Sequence, residues 1–135
     1  MSSPELRYFK FFVGQLKQAH QVSGESGKRE WQYGQMGPFT RVWVQGVVVG
    51  SPPSERPCWF LDDGTGVAVI FEQSSLPLGE SLKLGAYVMV LGQFRVASDS
   101  TPAILIHKLV NLSTQPQRES LWFLEVIEAH SLPRH

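Results

Sequence analysis

Two of the most strongly β-forming runs in this chain carry a glycine near their middle: RVWVQGVVVG at residues 41–50 and AYVMVLGQFRVA at residues 86–97. A glycine inside a strand marks a bulge, a bend or a close approach of another backbone. Gly46 and Gly92 therefore predict strands that curl. Between these runs, residues 58–71 read CWFLDDGTGVAVIF, which predicts strand, tight turn and strand, with Gly64 and Gly66 supplying the permissive backbone. PPSERP at 52–57 predicts a turn, residues 72–85 a longer connection, and AILIHKLVNL at 103–112 the last strand. Five strands with glycine bends and mostly short connections, followed by a helix, predict an all-β chain. The architecture that fits is a five-stranded oligonucleotide/oligosaccharide-binding barrel (OB-fold) with a C-terminal α-helix. Residues 40–113 are the expected barrel, residues 1–39 an N-terminal extension or hairpin packing on it, and residues 114–135 a partner-binding helix and tail.

The N-terminal segment has two aromatic-bearing stretches separated by the polar turn SGESGK at 23–28. Residues 8–19 combine Phe9, Phe12, Val13 and Leu16 at helical spacing with the Phe, Tyr and Val content of a strand. A hairpin is expected here, with EWQYG at 30–34 as its second arm.

The C-terminal helix has more apolar surface than one small core needs. Thr114 and Gln117 have capping-box spacing, and Pro116 falls where a first helical turn tolerates proline. Of residues 121–127, only Glu125 is polar. Phe123, Val126, Ile127 and His130 form one stripe, Leu121, Leu124 and Glu128 another, and Trp122 stands beside both. A helix lying on one core needs an apolar stripe roughly 100° wide. The excess predicts that a second protein covers Leu121, Trp122, Phe123, Leu124, Val126 and Ile127. The competing reading is a helix buried on two sides within its own domain.

Lys plus Arg and Asp plus Glu number 12 each, and the hydrophobic share of 42% is enough to fold. A protein that holds nucleic acid by itself usually carries a basic excess, because phosphate neutralisation supplies most of the affinity. DNA contact is therefore expected to be weak or indirect, although Trp43, Trp59, Phe60 and Phe71, flanked by Arg41, Arg56, Lys83 and Arg95, sit on the strands that carry single strands in other OB-folds. Their spacing among Val and Leu is that of core residues. Asp62 and Asp63 stand in a turn whose Asp and Gly serve the backbone. Cys58 lies alone in a strand, and His20, His107, His130 and His135 have no metal-ligand spacing. No catalytic constellation, cofactor or metal is expected. One cysteine fits a reducing compartment. The absence of a long apolar run and of a leader pattern points to cytosol or nucleus, with no membrane contact.

VWVQGVVV at 42–49, AYVMVLG at 86–92 and, above all, IHKLVNLSTQPQRESLWFLEVIEA at 106–129 resemble the second, OB-fold subunit of the RecQ-mediated genome instability complex. The resemblance covers roughly the C-terminal two thirds. Its most specific part is K-x-x-x-L-S followed by P-x-x-E-S-x-W-x-L-E-V. The DDGTG turn also resembles the middle subunit of replication protein A. The first resemblance implies a non-catalytic nuclear subunit that pairs with the C-terminal OB-fold of the first genome-instability subunit. The pair would work with topoisomerase III and a Bloom-type RecQ helicase in dissolving double Holliday junctions. It also implies that Lys108 and Trp122 dock a Fanconi-anaemia group M peptide. Residues 1–39 depart most and inherit no role. The alternative, from another class, is a single-stranded nucleic-acid-binding or telomere-capping module.

Overall fold

The computed structural model describes residues 7–23, 29–54, 56–72 and 82–131. Most of the 23–28 turn, most of the 72–85 connection and the tail after residue 131 lie outside the described residues. Strand β5 (Arg41–Gly50) organises the barrel. Its first half pairs antiparallel with β8 (Tyr87–Val96), and its second half pairs with β6 (Cys58–Asp62). One strand thus serves two neighbours, which requires it to curl. β6 pairs with β7 (Val67–Phe71), β7 runs parallel to β9 (Pro102–Asn111), and β9 pairs with β8. The order β5-β6-β7-β9-β8, closed by β5–β8, is a five-stranded OB-fold barrel.

Period-two alternation fills the barrel. Val42, Val44 and Val48 of β5, Val88, Val90 and Phe94 of β8, and Leu61, Ile70 and Ile104 are all fully buried. The two flagged glycines act differently. Gly92 sits at the β8–β9 register shift, where a Cβ would collide with the Leu105 carbonyl oxygen. Gly46 lies in a regular ladder opposite Val88, not in a bulge. Its lack of a side chain admits the Asp62 carbonyl, 2.8 Å from where a Cβ would stand. The bulge of β5 falls later, between Val48 and Gly50.

The N-terminal segment corrects the expected hairpin. Residues 8–19 are not its first arm. They split into β1 (Phe9–Lys10), which pairs parallel with β5, and the one-turn helix α1 (Val13–Leu16). The first arm is β2 (His20–Ser23), which pairs with β3 (Arg29–Tyr33); β3 pairs in turn with β4 (Met36–Phe39) in a separate three-stranded sheet. Phe11, Trp31 and Phe39 carry this layer into the main core, where Phe39 and Trp31 both meet the Phe94 ring. The DDGTG turn holds α1 in place. Asp63 Oδ2 accepts the Val13 N–H at 2.7 Å, and Thr65 Oγ1 accepts the Gly14 N–H at 2.8 Å. Within the turn, Asp62 and Asp63 accept the Gly64 and Thr65 N–H groups. These carboxylates order backbone, as their place in a turn predicted.

Candidate interaction surface of the C-terminal helix

Helix α2 (Gln117–Ser131) begins later than its capping signals suggested. Gln117 is its first residue, and Thr114 lies in the preceding turn, so the expected capping box does not form around Thr114. The turn is fixed instead by Asn111 Oδ1, which accepts the Ser113 N–H at 2.9 Å, and by Ser113 Oγ, which accepts the Tyr87 N–H at 3.0 Å.

From this anchor the helix crosses the outer face of β5 and β1. Trp122 and Val126 point down and are 3% and 0% exposed. Trp122 stacks on Trp43 with ring centroids 5.7 Å apart and planes 22° from parallel. Lys10 lies 4.6 Å above the Trp43 ring and pairs with Glu125 at 2.9 Å. Further along, His130 Nε2 donates to the Lys10 carbonyl at 2.7 Å, and its ring packs edge-on against Phe11. The helix is therefore held by its own domain along its whole length. Nothing in the sequence marks Lys10 or Phe11 as helix contacts, and Trp43 stands out there only as a ring on a strand that could carry a nucleic-acid base. The one available signal was His130 completing the Phe123–Val126–Ile127 stripe.

The same geometry divides the six helix residues expected to meet a partner. Trp122 and Val126 belong to the chain's own packing. Leu121, Phe123, Leu124 and Ile127 point away from the barrel and are between 46% and 62% exposed. Phe123 touches Phe12 at a centroid distance of 5.3 Å, which extends the apolar surface onto the N-terminal segment.

Lys108 is exposed on β9. Register places it opposite Leu91, Leu91 opposite Trp43, and Trp43 beside Lys10. Cross-strand partners share a face, so Lys108 stands in the same outer row as Trp43, two strands or roughly 10 Å away. Lys108 and Trp122 thus share the outer face of the barrel without being immediate neighbours. The Trp122 indole N–H is buried and finds no hydrogen-bond acceptor among the described residues.

The rings considered for base stacking are half-buried, and of them Trp59 packs against the core as its spacing implied. They also fail to share a face. Trp43 is covered by Trp122. Trp59 pairs across from fully buried Ile70 and turns inward, whereas Phe60 pairs with Val69 and turns outward. Cys58 is a buried strand thiol. No group of three or more His, Cys, Asp or Glu side chains able to hold a metal occurs among the described residues. No described helix is long and apolar enough to cross a membrane.

One titratable group on this face carries a pH dependence. The Tyr8 hydroxyl and His107 Nδ1 share a hydrogen bond at 2.9 Å. Burial, and then the nearby Arg41 charge, hold the His107 pKa below the usual histidine value. A histidine depressed in the folded state binds its proton more readily when unfolded. Its contribution is present above about pH 6.5 and is lost as pH falls through and below that value. The melting temperature should therefore drop between pH 7.5 and 5.5, and His107→Gln should make that drop smaller. An identical drop in both proteins would show that other groups carry it.

Comparison with known proteins gives a consistent result. The family profile of RecQ-mediated genome instability protein 2 matches residues 8–130. The Gallus gallus protein of that name is 37% identical over 94 residues, covering 66% of this chain and 65% of the relative. The Mus musculus protein is 29% identical over 134 residues, covering 94% of this chain and 85% of the relative. The matched stretch thus falls just short of two thirds of the chicken protein's length. Among solved structures, a chain of a replication protein A heterotrimer bound to single-stranded DNA superposes with a TM-score of 0.70 at 17% identity, covering 87% of this chain and 90% of that one. At that identity the likeness concerns the fold.

Proposed function

This chain belongs to the RecQ-mediated genome instability protein 2 family, and on that footing we propose that it is a non-catalytic OB-fold subunit in genome maintenance. It pairs with the C-terminal OB-fold of the first genome-instability subunit. The observation that carries this is the outward apolar face of α2: Leu121, Phe123, Leu124 and Ile127 on a helix already anchored through Trp122 and Val126. A fold that needed the helix only for its own core would leave that face polar. The pair stabilises a nuclear assembly of topoisomerase III and a Bloom-type RecQ helicase that dissolves double Holliday junctions. The experiment is co-expression with the first genome-instability subunit, followed by size-exclusion chromatography with light scattering. A one-to-one complex is expected. Separate elution at micromolar concentration refutes the pairing.

The peptide-docking role of Lys108 and Trp122 belongs to the same proposal. One feature of the outer face supports it: the Lys108 ammonium is exposed and can meet a peptide carboxylate. The Trp122 N–H is buried and without an acceptor among the described residues, so it reaches a peptide carbonyl only where docking shifts the helix. Lys108→Ala should weaken binding of a Fanconi-anaemia group M peptide to the heterodimer by roughly threefold to tenfold, the range of a partly exposed charged contact. The heterodimer itself should be unaffected, because an exposed lysine adds little to subunit packing. Calorimetry with the purified pair measures this, and unchanged peptide affinity removes Lys108 from the site.

A further inference from the structure

A concentration of positive charge lies away from the helix. A cleft of about 780 Å³ opens where the three-stranded sheet meets the barrel, and the side chains of Arg7, Arg29, Arg41 and Arg95 line it. Glu30 is the one acidic residue in the lining. Four guanidiniums and one carboxylate leave three positive charges in a chain whose formal net charge is zero. The arginines come from four places in the sequence: just before β1, the start of β3, the start of β5 and the end of β8. Among the described residues the one ion pair is Lys10–Glu125, so none of the four guanidiniums is neutralised by a carboxylate there. Four like charges gathered in a concavity with one counter-charge among its lining residues raise each other's energy, and an anion relieves that.

We propose that this cleft binds a phosphorylated side chain within an acidic peptide segment. A phosphate ester carries about −1.5 to −2 charges at neutral pH and three acceptor oxygens. Guanidinium forks match those oxygens in pairs. A flanking acidic residue takes up the charge that remains. The Thr40 and Gln93 side chains stand in the same wall and add hydrogen-bonding groups. The size falls within the range of about 300–1,000 Å³ typical of small-ligand pockets. A nucleic-acid strand is the poorer fit. Sequence-independent strand binding relies on open ring faces for stacking, and the rings in this cleft are committed elsewhere. Trp31 and Phe39 are buried against Phe94, and Phe9 packs on Phe39. The ladders fix the cleft independently of any ligand: Arg41 pairs with Gln93, Arg95 with Ala103, and the Phe94 N–H donates to the Thr40 carbonyl at 2.8 Å.

Fluorescence anisotropy with the full chain tests the assignment. The probe is a fluorescein-labelled peptide pool, degenerate except for a central Glu-phosphoserine-Glu, compared with the same pool carrying serine. The phosphorylated pool should bind at least about tenfold more tightly, in a salt-dependent manner. The double variant Arg41→Gln/Arg95→Gln should lose at least about tenfold of that affinity with its melting temperature unchanged, as expected when charged hydrogen bonds are removed. Arg56→Gln, on an exposed loop outside the cleft, should bind like the parent. Equal binding of the two pools, or full affinity in the double variant, overturns the proposal. So does displacement of the phosphorylated pool by a short single-stranded DNA that binds more tightly, which would make the occupant a strand backbone. None of these readings depends on heterodimer formation, so failure here and failure of the subunit pairing are told apart.

Discussion

Replacing Phe123 and Leu124 together by glutamate is expected to abolish pairing with the first genome-instability subunit while leaving the chain folded. Both side chains point outward from α2 and are more than half exposed. In the free chain a carboxylate at Leu124 stays in water and costs little. Phe123, itself 55% exposed, gives up its ring contact with Phe12. In a heterodimer both carboxylates would be driven into an apolar contact. An unpaired charge buried in that way neutralises or excludes the partner. Residues near the centre of an interface commonly contribute about 2–4 kcal/mol each, so the pair should weaken association by on the order of a thousandfold or more. Size-exclusion chromatography with light scattering reads the outcome, and a melting temperature close to the parent's shows that the fold survives. Intact one-to-one complex at micromolar concentration would place the interface elsewhere. Deleting the helix from Thr114 onward is the weaker experiment. It removes Trp122 and Val126 from the chain's own packing, so loss of pairing could follow from loss of fold.

That distinction also marks where the sequence stopped being legible. The strands could be read because each carries a local signal: Val42 and Val44, or Val88 and Val90, alternate at the period of a pleated strand. The DDGTG turn names its own backbone. Barrel closure is non-local, but strand count and glycine placement left few alternatives. The helix is a different case. Six apolar residues in a run of seven specify too much surface but not its direction. The direction is set by Trp43, far away in the chain, which offers a ring for Trp122 to stack on. Residues 8–19 carry no clear signal for a related reason. The parallel pairing of β1 with β5 spans only Phe9 and Lys10, too short for any periodicity to show. The arginine cleft is invisible in the net charge, which averages over the chain. Arg41 and Arg95 drew attention as neighbours of aromatic strands, whereas Arg7 and Arg29 lie in the segment with the least readable pattern.

Trp122→Ala is expected to destabilise the chain itself, by roughly 3–5 kcal/mol, the usual cost of deleting a large buried aromatic. The indole is almost fully covered and fills the contact between α2 and the outer face of β5. Its loss opens a cavity beneath the helix and bares one face of Trp43. It also weakens the footing on which Lys10, Glu125 and His130 hold the rest of the helix. Thermal denaturation should show a melting temperature lower by more than about 10 °C, and α2 amides should lose protection from hydrogen exchange before the barrel strands do. A shift of only a few degrees would mean that the helix is held mainly by other contacts. The alanine variant therefore cannot report on peptide docking, since any loss of recruitment would follow from the loosened helix. Trp122→Phe separates the two roles. It keeps an aromatic ring on Trp43 and removes the one buried side-chain N–H that has no acceptor among the described residues. Removing an unsatisfied donor offsets part of the loss in ring size, so the phenylalanine variant should keep most of the stability and pair normally. If peptide recruitment uses that N–H, calorimetry will show weaker peptide binding to a heterodimer that is otherwise intact. Unchanged affinity in the phenylalanine variant would confine Trp122 to holding the helix in place.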